Sequence, residues 1–92
     1  VRGPAQDFSF LAQTGNRNYG PGDVFELESS IQFTVKTPDQ GEIRLIHNGE
    51  VIKRSDGQVL EHKTQEIGYY RVEVYREGKL WIVSNPIYVG SQ

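Results

Sequence analysis

Apolar residues in this chain recur at every second position. Ile31, Phe33 and Val35 alternate with Gln32, Thr34 and Lys36, and Tyr70, Val72 and Val74 alternate with Arg71, Glu73 and Tyr75. A two-residue period sends one set of side chains to each face of a pleated strand, and no stretch sustains the 3.6-residue period of an amphipathic helix. Glycine-bearing turns separate the runs. Asn48-Gly49 is the clearest, because both residues accept the positive φ angles of a tight type I′ hairpin. The chain is therefore expected to be all-β and antiparallel.

The expected strands run from Asp7 to Ala12, Asp23 to Leu27, Ser30 to Lys36, Glu42 to His47, Glu50 to Arg54, Gln58 to Lys63, Tyr69 to Arg76, Leu80 to Val83 and Ile87 to Val89. Thr14 to Gly22 reads as a loop, since its glycines, asparagines and Pro21 favour turns. Thr37 to Gly41 and Asp56-Gly57 read as further turns, and Glu77-Gly78-Lys79 as a second hairpin. Asn85-Pro86 interrupts the last strand, because proline lacks the ladder donor. No repeat, linker or composition shift divides the chain. Residues 1–92 are expected to be one domain.

Composition narrows the function. With 36% hydrophobic and 24% charged residues the chain is globular rather than disordered. Its 92 residues bury roughly 60–65% of the surface exposed on unfolding, which is enough for one core. There is no cysteine. That excludes a disulfide, a thiolate zinc site, an iron–sulfur cluster and a cysteine nucleophile. Ten basic and 12 acidic residues are scattered along the chain, whereas a nucleic-acid binder carries a basic patch or excess. No apolar run is long enough for a membrane helix and no signal pattern opens the chain, so membrane insertion is not expected. Nothing in the composition fixes a compartment.

Chemistry-bearing motifs are sparse. His47 and His62 fall in different strands, without a His-x-His pair or a helical His-Glu-x-x-His. A metal site assembled from His47, Glu50, Glu61 and His62 is conceivable, but three or four ligands would have to converge, and polar side chains on solvated strand faces are the expected reading. Gly20-Pro21-Gly22 lacks the Lys-Ser/Thr and the helix of a phosphate cradle, and no serine sits in a Gly-x-Ser-x-Gly elbow. The segment is expected to be non-enzymatic, with no cofactor or metal of its own.

The most specific local pattern is Glu66-Ile67-Gly68-Tyr69-Tyr70-Arg71-Val72. It resembles the tyrosine corner of immunoglobulin-like sandwiches, with Glu66, Gly68 and Tyr70 in register and Val72 in place of the second cysteine. A Tyr ring in such a corner lies in the core while its hydroxyl bonds nearby backbone. The resemblance implies an antiparallel Greek-key β-sandwich of about seven to eight short strands with no disulfide, with Phe33 and Leu45 as core counterparts. Outward-facing Tyr69, Arg71 and Tyr75, with Trp81 across the hairpin, form the candidate surface for docking another domain or, less favourably, stacking on a sugar.

Four stretches carry a wider resemblance: Gly3-Pro4 leading to Phe8-Ser9-Phe10; Gly20-Pro21-Gly22-Asp23; Ile43 to Val51; and Gly68 to Tyr75 followed by Trp81-Ile82-Val83-Ser84-Asn85-Pro86-Ile87-Tyr88-Val89. Nearly the whole chain thus resembles the C-terminal accessory domain of bacterial metal-dependent phosphoesterases of the PHP (polymerase and histidinol phosphatase) family. The resemblance implies a segment excised from the C-terminus of a larger hydrolase, whose PHP domain binds divalent metals through clustered His and Asp residues. No such cluster is present here, so no catalytic residue carries over. The expected role is a non-catalytic domain that docks on, or orients, the catalytic domain of the same chain. An independent adhesion or carbohydrate-binding module is the alternative.

Overall fold

The computed structural model describes residues 8–27 and 29–90. Asp7, where the first expected strand begins, and the Gly3-Pro4 pair lie outside the described residues. Eight strands form: β1 (Ser9–Thr14), β2 (Arg17–Tyr19), β3 (Val24–Glu26), β4 (Ile31–His47), β5 (Glu50–Thr64), β6 (Gly68–Arg76), β7 (Lys79–Val83) and β8 (Ile87–Gly90). Among the described residues there is no helix. Hydrogen bonds join the strands in one mixed sheet, in the order β2-β1-β4-β6-β8-β3, with β5 also on β4 and β7 also on β6.

The long strand β4 keeps different company at its two ends. Residues 32–36 pair with β1 and 31–36 with 59–64 of β5, whereas 42–47 pair with β6 and with 50–56 of β5. The sheet folds over on itself between them, so that the ends face each other. Phe33, in the first half of β4, lies with its ring centroid 4.4 Å from Tyr70 of β6 and 5.9 Å from Phe10 of β1. Around these rings gather Ile31, Val35, Ile43, Leu45, Leu60, Val72, Val74, Ile82 and Ile87, all shut off from solvent. The alternating positions of the sequence are the core positions of the fold.

Three expected features are corrected. Thr37 to Gly41 is not a reversal, because the chain only changes layer there and β4 runs on through Pro38 with a register shift. Local bonds stand in for the missing ladder bonds: Thr37 Oγ1 donates to the Asp39 carbonyl at 2.6 Å, and the Gln40 N–H donates to Asp39 Oδ1 at 2.8 Å. Asp56-Gly57 is likewise a bend within β5, at a φ of +135° that only glycine adopts without strain. Within the expected loop Thr14 to Gly22, β2 pairs back on β1 across the tight turn at Gly15.

One edge also departs from the antiparallel pattern. β3 runs parallel to β8, pairing Val24 with Tyr88 and Phe25 with Val89. Gly22 N–H donates to the Pro86 carbonyl at 2.8 Å, Tyr88 N–H to Asp23 at 3.0 Å and Leu27 N–H to Gly90 at 2.8 Å. Pro86, which breaks the run from β7 into β8, thus supplies an acceptor to the neighbouring strand.

Candidate interaction surface

The corner comes first, because it orients everything on β6. Tyr70 is fully buried, and its hydroxyl donates to the Glu66 carbonyl, four residues upstream, at 2.6 Å. Burial pushes its phenol above the ordinary value of 10.0, so the proton stays on the oxygen that needs it as a donor. The His47 ring stacks on Tyr70 at 4.4 Å, and its Nε2 lies 2.7 Å from the Ile67 carbonyl, which can only accept. Asn48 grips the start of β6 twice: its N–H donates to the Tyr69 carbonyl and its Oδ1 accepts from the Tyr69 N–H, both at 3.0 Å. Gly68 passes between these groups at a φ of +131°.

Of the two histidines considered as ligands, His47 therefore spends its ring on the corner. His62 sits on β5 opposite Phe33. Burial, reinforced by the positive charge of Lys53 and by His47, holds its pKa below the usual 6.5, against an opposing pull from Glu66. The neutral form is favoured by the fold, so this stability is complete above pH 6.5 and declines as the pH falls and the unfolded chain takes up the proton first. His62→Gln is expected to flatten the decline. Thermal melts of both proteins across this range check it, and parallel curves would contradict the assignment.

The four residues read as one outward surface are divided. Arg71 pairs with Glu73, and Tyr75 donates its hydroxyl to Glu73 Oε1 at 2.9 Å. The Arg71 bond holds the Glu73 carboxyl below its ordinary range. The Arg44 guanidinium lies 4.1 Å above the Tyr75 ring and its Nε donates to Glu42 Oε2 at 2.8 Å. Register explains the network, since antiparallel pairing sets Arg44 opposite Glu73 and Glu42 opposite Tyr75. Trp81 does not extend it. A bulge pairs Tyr75 with Leu80 and Val74 with Ile82, so Trp81 is the extra residue. It packs against the core under Arg76, 4.8 Å from its ring centre.

Tyr69 belongs to a different grouping that the sequence does not reveal. It pairs with Tyr88 on β8, which pairs in turn with Val24 on β3. The three lie side by side across three strands and are 40%, 47% and 71% exposed. The Tyr69 and Tyr88 rings stand 6.2 Å apart and tilted by 45°. Reading Val24 as part of this row needs the parallel β3–β8 pairing, which has no local signature. Comparisons with protein-family models and with curated proteins found no match to this chain.

Proposed function

We propose that this chain is an immunoglobulin-like Greek-key sandwich serving as a non-catalytic accessory domain of a PHP-type, metal-dependent phosphoesterase, and that it docks on the catalytic domain of the same chain. Divalent metals would belong to that domain's clustered His and Asp residues. Support for the sandwich is the exchange of β4 and β5 between two facing layers, together with the Tyr70 hydroxyl bonded four residues upstream.

The row Val24–Tyr88–Tyr69 carries the docking reading. Over the neighbouring β4–β6 face, charges and rings already satisfy one another, whereas this row presents two aromatic rings and a valine to solvent. Tyrosines are favoured at interface centres because they bury large area with few rotatable bonds. A sugar ring prefers a flat platform, and two rings at 45° do not make one. Domain docking is therefore the better reading than carbohydrate binding.

Tyr88→Ser tests it in the intact protein. The side chain is exposed, so the change is expected to move the domain's own stability by no more than about 0.5 kcal/mol. Released from its partner, the domain should be cut from the catalytic domain by protease markedly faster than in the parent protein. Unchanged cleavage, or a full reading frame without a His- and Asp-rich domain, would overturn the reading.

A further inference from the structure

β5 is hydrogen-bonded to β4 along both halves and, among the described residues, to no strand on its other side. A 15-residue strand with an open edge is a template on which another strand can pair. This edge is not bare. Lys53 Nζ donates to the Glu61 carbonyl at 2.5 Å, and Ser55 Oγ donates to the Val59 carbonyl at 3.0 Å. Residues two apart in a strand aim their carbonyls to the same side. Both acceptors are thus filled by side chains rather than by a neighbouring strand. Eight residues of straight strand would span about 26 Å, so the Lys53–Glu61 bond exists only because β5 bends at Gly57.

We propose that residues 59–63 form a strand-addition edge for a second copy of this chain, held closed by Lys53 and Ser55. The charge pattern argues for the second copy. Antiparallel pairing centred on His62 sets Glu61 of each copy opposite Lys63 of the other, and Leu60 opposite Thr64. Glu61 and Lys63 are both exposed, so the two ion pairs form on the solvent side without burying charge. Centring on Glu61 would place like charges together and is disfavoured. The edge is self-complementary in one register, and the two caps occupy the acceptors that register needs. This inference does not depend on the docking reading, which concerns β3, β6 and β8.

Light scattering after size exclusion provides the test. The parent chain is expected to be monomeric. The Lys53→Met, Ser55→Ala double variant is expected to double its mass with rising concentration and to gain amide protection at 59–63. Adding Glu61→Lys sets lysines against each other and should return the monomer, and adding Lys63→Glu as well should restore the dimer. Should the double variant unfold, Lys53→Met alone is titrated with a synthetic peptide of residues 58–64, which it should bind and the parent chain should not. The proposal fails if the uncapped protein stays monomeric or does not bind the peptide. It fails equally if association ignores the charges at 61 and 63, or if the parent chain already dimerises through this edge.

Discussion

Gly68→Ala is expected to lower the unfolding free energy by about 3–5 kcal/mol, a large fraction of the total for a domain of this size. Two costs combine. A non-glycine residue at a φ of +131° is strained by about 1–3 kcal/mol. The added Cβ would also stand 2.6 Å from Asn48 Oδ1 and 2.6 Å from His47 Nε2, which hold the Tyr69 N–H and the Ile67 carbonyl. Moving either breaks a hydrogen bond worth about 1 kcal/mol. Gly57→Ala separates the two costs, because its φ of +135° lies within a few degrees of that at Gly68 while nothing lies within 4 Å of the new Cβ. Urea denaturation of the pair decides it. Equal losses would mean that His47 and Asn48 do not hold the corner.

Tyr70→Phe is expected to cost about 1–3 kcal/mol, through the lost bond to the Glu66 carbonyl, which is part-buried and left without its donor. Its ring contacts with Phe33 and His47 survive the change, so the loss reports on the hydroxyl alone. Tyr69→Phe, on the exposed row, should cost a few tenths of that. Similar costs for the two tyrosines would remove the pinning role from Tyr70.

Much of the fold was legible because burial follows local periodicity. Phe33, Leu45, Tyr70, Val72 and Val74 were expected in the core and are fully buried. The Asn48-Gly49 hairpin has both residues at positive φ, 52° and 90°, and Glu77-Gly78 likewise, 53° and 78°. The Glu66–Tyr70 spacing also foretold a hydroxyl bonded to nearby backbone. What stayed hidden depends on which strands meet. No local pattern says that β3 lies parallel to β8, and without that pairing Val24 is unrelated to Tyr88 and Tyr69. A three-residue turn at Glu77-Gly78-Lys79 would set Trp81 across from Tyr75. Instead Arg76 pairs with Lys79 and Tyr75 with Leu80, and the bulge that follows leaves Trp81 as the extra residue. Ile46 lies opposite Arg71, away from the core cluster, yet it is buried. Thr37 to Gly41 reads as a turn in sequence, whereas the local bonds around Asp39 that carry β4 past Pro38 leave no sequence signal.

Hydrogen exchange on the domain alone and within the intact protein tests the central claim most directly. The docking account predicts that amides of β8, β3 and the first residues of β6 gain protection in the intact protein, with β5 unchanged. If β8 and β3 exchange at the same rate in both, the row Val24–Tyr88–Tyr69 is open surface and the accessory-domain account is wrong.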